Sequence, residues 1–491
     1  NMLDLRGLGI GRTLVLQNGR RHIPGGPFTT AVDVNTVPMD LIERVDIVTG
    51  GNSAIYGSDA IAGVVNFVLK RDYEGVQVRG QAGISKHGDA GQQYVSAIAG
   101  TNFANGRGNV AVNVDFTHQD DWYASDRPAY KNFAFYFDVD VDEPGLPNGS
   151  DGIPDAALVE DLRYLDFSNG GLFIDDVNLR PDGNIDTYLF QPDGTLVLQN
   201  GPRVGLPPFA FYSGGNGDNL QEGKLYGFAP DVQRYGFNLV SHFTVSDAFE
   251  PFIEAKYVRT DAKGGSVGSF FGGTGLRRDT YRTDNPFLGP QARNLIRSNL
   301  GLADGEEGEF FFRRNYLELG AVAHNVRRNT HRVVAGARGQ FNGDWNYETS
   351  LNLAKVTSRN QTGGNVNVQR YLLAVDAVRD PVSGEIVCRA QIDPSAALPF
   401  FGAKDLEYAL AQLPQDVAAC VPLNPFGEGN ISDAARDYLR AEGTTRSKIT
   451  QSVLSAFMSG DTSEWFELPG GPIGFALGGE YRRETFKEVQ D

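Results

Sequence analysis

The feature that most constrains this chain is a strict alternation of residue character sustained over unusually long runs. Between 110 and 117, Val110, Val112, Val114 and Phe116 alternate with Ala111, Asn113, Asp115 and Thr117. Further on, Tyr235, Phe237, Leu239, Ser241, Phe243 and Val245 alternate with Arg234, Gly236, Asn238, Val240, His242 and Thr244. Trp345, Tyr347, Thr349, Leu351 and Leu353 alternate with Asn346, Glu348, Ser350 and Asn352 in the same way. A period of two belongs to a strand whose faces meet different surroundings. Soluble strands also alternate, but they usually have about five or six residues, and these runs reach roughly ten to fifteen. About 9–11 tilted residues cross a bilayer as a β-strand, so the runs are expected to be membrane-spanning strands.

The connections between runs support that expectation. Short turns fall at Phe103–Arg107, Ser246–Glu250, Phe341–Asp344 and Thr462–Pro472. Between them lie a turn at Ser85–Gly91 and three long excursions near 120–231, 261–327 and 358–445. Alternating short and long connections are what a barrel with short periplasmic turns and long extracellular loops requires. Parity then places Phe310–Leu319 in a loop beyond the membrane, because counting it as a spanning strand would put the third excursion on the wrong side. The expected spanning strands are 76–83, 93–102, 109–119, 232–246, 251–260, 328–341, 344–357, 446–460 and 473–487. Nine strands fall short of the even number found in closed bacterial barrels, so the chain is expected to be truncated, with more strands beyond Asp491.

Composition narrows the classes further. No window offers about 18 uninterrupted apolar residues, so no transmembrane helix is expected. Acidic residues outnumber basic ones, 61 against 44, for a net charge of −17. That balance argues against a nucleic-acid partner, which needs clustered Lys and Arg. It suits long loops kept solvated by carboxylates. Two cysteines, Cys388 and Cys420, lie in the third excursion. On an exported chain they are expected to form one disulfide bracing it.

The first 72 residues read differently. Short apolar segments, Leu3-Asp4-Leu5-Arg6-Gly7 and Arg12-Thr13-Leu14-Val15-Leu16, flank a Gly-rich bend and are expected to be strands. Asn18-Gly19 signals a tight turn. Val37 to Ile42 is expected to hold one helical turn entered through Pro38. Glu43–Val48 and Gly63–Leu69 complete a small α+β domain.

Those residues carry a family resemblance. Leu3-Asp4-Leu5-Arg6-Gly7-Leu8-Gly9, Arg12 through Arg21, Val37-Pro38 through Gly51 and Ser53 through Phe67 resemble the plug of TonB-dependent outer-membrane receptors. Cys420-Val421-Pro422-Leu423-Asn424-Pro425-Phe426-Gly427 is similar to a loop of large proteobacterial receptors. The resemblance implies a mainly β chain: residues 1–72 as the C-terminal part of an α+β plug, and 73–491 as about 9 of about 22 antiparallel strands of a transmembrane β-barrel. It further implies energy-coupled uptake of a scarce nutrient across the bacterial outer membrane, with no chemistry on the ligand. TonB of the inner-membrane complex is the expected partner, through a box upstream of Asn1. A passively gated plugged porin and a cell-surface ligand- or calcium-binding receptor are the alternatives.

Candidate residues follow from the same reading. Arg6, Glu43, Arg44 and Asp46 are expected to lock plug to barrel wall. The segment after Asn18-Gly19 is rich in Pro and Gly, and the resemblance implies that it points outward. Arg21, His22, Phe28 and Thr29 are therefore expected to meet the ligand. His22, His87, His118, His242, His324 and His331 are scattered without metal-site spacing, so neither a metal, nor a cofactor, nor an enzyme activity is expected. The acidic run 138–155 offers oxygen ligands suited to Ca²⁺ but misses the EF-hand spacing, and reads as a solvated loop.

Overall fold

The computed structural model describes residues 1–491 apart from 28, 51–52, 133, 209, 220–225, 273–280, 342, 400–405 and 491. The N-terminal domain is a four-stranded sheet built from β1 (Thr13–Gln17), β2 (Arg20–Arg21), β3 (Ile42–Thr49) and β4 (Gly63–Leu69), in the order β2-β1-β4-β3. β1 and β4 run parallel; β2 and β3 pair antiparallel on either side. Asn18 and Gly19 sit at φ 51° and 75°, the left-handed pair that a two-residue hairpin turn needs, and they fold β2 back onto β1. Gly63 has φ 144°, and a Cβ there would lie 2.5 Å from the Val48 carbonyl oxygen, so only glycine lets β4 start beside β3. Pro38 opens the expected helical turn, which is a 3-10 turn at Met39–Leu41. Leu3–Gly7 differs from expectation. Leu5–Gly7 is a 3-10 turn with Arg6 at φ 60°, and Gly7 and Gly9 also take positive φ, so the segment cannot run extended.

From Gly75 the chain builds a wall of consecutive antiparallel strands: β5 (Gly75–Gly83), β6 (Gln92–Phe103), β7 (Gly108–Gln119), β8 (Asp231–Phe243), β9 (Glu250–Gly272), β10 (Phe312–Phe341), β11 (Trp345–Val366), β12 (Arg440–Gly460) and β13 (Phe475–Gln490). Each pairs with the next in sequence order. Alternation sorts the two faces. Leu351 and Leu353 are 44% and 47% exposed on the outer face, while Asn352 between them is 2% exposed and turned inward. Cross-strand neighbours keep that register: Ala255, Val333 and Leu353 follow one another across β9, β10 and β11 on the outside, and Glu254, Val334 and Asn352 do so on the inside. The fold is mainly β: a small α+β domain set against an antiparallel barrel wall.

β9 to β12 run well past the length needed to cross a bilayer. Phe310–Leu319, expected in a loop, belongs mostly to this overrun: β10 begins at Phe312, and Arg313 pairs with Leu172 of a strand at Leu172–Leu179 from the first excursion. The excursions pack together into a cap with the largest apolar core of the molecule. Phe173 and Phe190 of the first excursion, Leu288, Ile296 and Phe312 of the second, and Tyr371, Leu423 and Phe426 of the third share that core. The Cys388–Cys420 disulfide lies within it. Arg314, with no exposed side-chain surface, donates to the Pro425 carbonyl at 2.9 Å and pairs with Glu318, holding the third excursion onto β10.

Candidate functional site

The polar inner row of the wall meets the N-terminal sheet at the β1–β2 hairpin. The Asn-Gly turn projects Arg20 to the wall, where its guanidinium donates to Glu254 at 2.8 Å and to Glu348 at 2.6 Å and lies 4.4 Å from the Phe252 ring centre. Glu254 also accepts from Asn18 at 2.8 Å, and from Gln17 and Arg332 at 3.3 Å. Two residues along the inner face of β9, Lys256 donates to Gln17 Oε1 at 2.6 Å and to His22 Nε2 at 3.1 Å. His22 Nδ1 lies 3.0 Å from the Ile23 carbonyl. Nδ1 therefore carries the hydrogen and Nε2 accepts from Lys256, which fixes a neutral ring. Burial, with Lys256 and Arg332 nearby, holds the His22 pKa well below its ordinary value.

The contact continues beyond this cluster. Asn352 donates to the Arg21 carbonyl at 2.9 Å. Ile23, 1% exposed, packs with Ala354, Val356 and Ile449 of the wall. Asp40 accepts from Tyr94 at 2.8 Å and pairs with Arg79 at 3.3 Å. Asp72 bonds His242 at 2.8 Å, and Arg71 pairs with Glu250. Apolar contact is modest: Leu41 and Leu69 pack against Ile98, Ala111 and Val240. The junction is thus mostly polar, with charges that must stay paired to be tolerated away from water. A cavity of about 370 Å³ opens beside it, lined among others by Arg20, Glu43, Arg44, Phe252, Glu254 and Glu348.

Several expected roles are corrected by this geometry. Arg21 and His22 do not project outward: Arg21 pairs with Asp59 at 2.8 Å, bonds the Tyr56 carbonyl and approaches Glu480 at 3.6 Å, while His22 is 5% exposed at the junction. Thr29 accepts from the Ala31 amide at 3.0 Å and so closes its own turn. Phe28 lies outside the described residues. The expected lock also differs. Arg44 pairs at 3.1 and 3.6 Å with Asp46 and Glu43 on its own strand, and Arg6 makes no ion pair among the described residues. β3 is the far edge of the sheet from β2, so its charges are half solvated while β2 makes the contact. Sequence reading missed Arg20, Glu254, Lys256 and Arg332. Charged residues at inward positions of otherwise alternating strands were the available signal. In the acidic loop, Asp142 accepts from the amides of Gly149, Ser150 and Asp151, organising its own turn.

Comparison with known proteins bears on the N-terminal domain directly. Residues 1–64 match the family model described as the TonB-dependent Receptor Plug Domain. Among solved structures the chain is similar to the copper transporter OprC, with 10% identity over 98% of this chain and 53% of that one and a TM-score of 0.31. It is similar to the ferric citrate transporter FecA in its unliganded form, with 11% identity over 99% and 51% and a TM-score of 0.31. The ferric yersiniabactin uptake receptor FyuA from Yersinia pestis gives 7% identity over 98% and 53%, with a TM-score of 0.29. The chain spans about half the length of these solved structures. Residues 1–64 therefore belong to the TonB-dependent receptor plug-domain family, and they form a sheet docked on the inner face of an antiparallel β wall.

Proposed function

We propose that this receptor takes up a scarce nutrient across the bacterial outer membrane by an energy-coupled displacement of its plug, and that the β1–β2 hairpin is the latch that is released. The observation that carries the reading is the chemistry of the junction: Arg20, Glu254, Lys256 and His22 hold plug to wall through paired polar groups. Such a contact is specific when closed, and water can solvate its groups when it opens. An apolar seal of the same size would resist opening, because every exposed Å² costs about 25 cal/mol. The work comes from TonB of the inner-membrane complex. The long excursions lie outside the cell and their cap offers the ligand-facing surface, while the inner row of the wall faces the plug.

The test uses the small molecule that copurifies with the full-length receptor. Its accumulation is measured in cells with and without TonB, and with a proton uncoupler. Energy-coupled uptake loses accumulation in both controls. Accumulation that persists under the uncoupler identifies a passively gated pore and overturns the proposal.

A further inference from the structure

The six histidines are scattered in sequence, but the fold brings one of them to two carboxylates. β7 ends at Gln119 and β8 opens at Asp231, and the whole first excursion leaves and returns between them. At that root Val232 pairs with Gln119 and Gln233 pairs with His118. His118 lies on the outward face of β7, beyond Val114 and beyond Phe116, whose ring is 5.1 Å from Tyr235. Its Nε2 is 3.0 Å from Asp231 Oδ2 and 3.5 Å from Asp120 Oδ1, and the three side chains each offer one ligand atom within 4.8 Å of the others.

The other ring nitrogen decides what this cluster wants. His118 Nδ1 lies 2.9 Å from Gln93 Oε1 on the neighbouring strand, an acceptor, so Nδ1 carries the hydrogen. Nε2 is then the ring atom turned to the two carboxylate oxygens, whose charge is balanced either by a proton on Nε2 or by a bound cation. Neither Asp120 nor Asp231 pairs with a Lys or Arg among the described residues. Ligand atoms about 2.0–2.2 Å from a tetrahedral zinc are about 3.3–3.6 Å from each other; the 3.5 Å to Asp120 matches that spacing and the 3.0 Å to Asp231 is somewhat shorter. Gln93 stands where the outer partner of a metal-bound imidazole stands, fixing tautomer and ring plane.

We propose that His118, Asp120 and Asp231 bind one divalent first-row transition-metal cation, with Gln93 as the positioning residue. The imidazole sets the class, since Ca²⁺ and Mg²⁺ prefer all-oxygen sets. Three protein ligands leave a fourth position to water. Because Asp120 is the first residue of the excursion and Asp231 the residue at which it rejoins the wall, the ion ties both ends of that excursion to β7 and steadies the cap above it.

Full-length receptor without a polyhistidine tag is stripped with EDTA in detergent and titrated with Zn²⁺ by calorimetry, with metal content measured after dialysis. The expected result is one Zn²⁺ per chain that excess Ca²⁺ does not displace. Asp231→Asn, which keeps side-chain shape, and His118→Gln, which keeps a polar side chain without the imidazole, each weaken binding at least ten-fold, and Gln93→Ala weakens it less. Zn²⁺ also slows proteolysis within 120–231 in the wild type but not in Asp231→Asn. Equal Zn²⁺ binding in wild type and both ligand variants, displacement by Ca²⁺, or a cluster that takes up only a proton on His118 overturns the proposal.

Discussion

Arg20 of the plug and Glu254 of the wall meet at 2.8 Å with side chains 7% and 8% exposed. Their sequence separation is 234 residues, so this contact belongs to the docking of the plug and not to either part alone. Replacing Arg20 by Ala strands Glu254 with Arg332, Asn18 and Gln17 as its remaining partners. Breaking a buried pair costs about 3–5 kcal/mol, and the surviving partners put this site at the lower end. Hydrogen exchange of residues 13–23 in the receptor should accelerate accordingly. Glu254→Gln combined with Arg20→Met should cost less than the sum of the two changes, the coupling that a double-mutant cycle reads.

His22 makes the docking sensitive to acid. Its pKa is lowered in the docked plug, so the docked state binds fewer protons than the undocked one. Docking strength is therefore full above the ordinary histidine value of about 6.5 and declines as pH falls from there toward the lowered value. Exchange protection of the hairpin should drop between pH 7.5 and 5.5. In His22→Asn that drop should be much smaller.

The two faces of β11 predict opposite failures. Leu351→Arg places a charge on the lipid side and should impair barrel assembly by about 2–4 kcal/mol. Asn352→Ala leaves assembly intact but removes the bond to the Arg21 carbonyl, loosening the hairpin by about 1 kcal/mol. Heat-modifiability on gels reads the first effect and hairpin hydrogen exchange the second.

Reduction of Cys388–Cys420 should loosen the cap and spare the wall. The disulfide closes 32 residues of the third excursion. On the loop-entropy model such a closure contributes about 3–4 kcal/mol. Protease cleavage within 358–445 should rise after reduction, while β7 to β11 stay protected.

The wall was legible because its signal is local. Period-two runs, turn residues and connection lengths put each strand from β5 to β13 within a few residues of its observed inner end, and the alternation put Leu351 and Asn352 on opposite faces. The outer ends ran longer than expected, since strand extensions such as Phe312–Leu319 take their partners from the excursions. The cap was illegible for the same reason: Phe173, Phe312 and Phe426 meet only through the tertiary fold. The junction was half legible. Asn18-Gly19 announced the hairpin, and Arg21 and His22 were singled out after it, but Arg20 was not, and the direction of this stretch depends on Glu254 and Lys256, more than 200 residues away. Arg6 was misread as part of a strand because apolar neighbours outweighed the Gly7 and Gly9 signals that bend the backbone there.

The central claim, that the hairpin leaves the wall during energised transport, is tested most directly at Ile23, which is 1% exposed and packed on Ala354, Val356 and Ile449. Ile23→Cys in the Cys388/Cys420 background is probed with a membrane-impermeant thiol reagent on living cells grown under the nutrient limitation that the receptor serves. The account predicts labelling in energised cells and its loss when TonB is absent or a proton uncoupler is added. Labelling that is the same in all three conditions would contradict it.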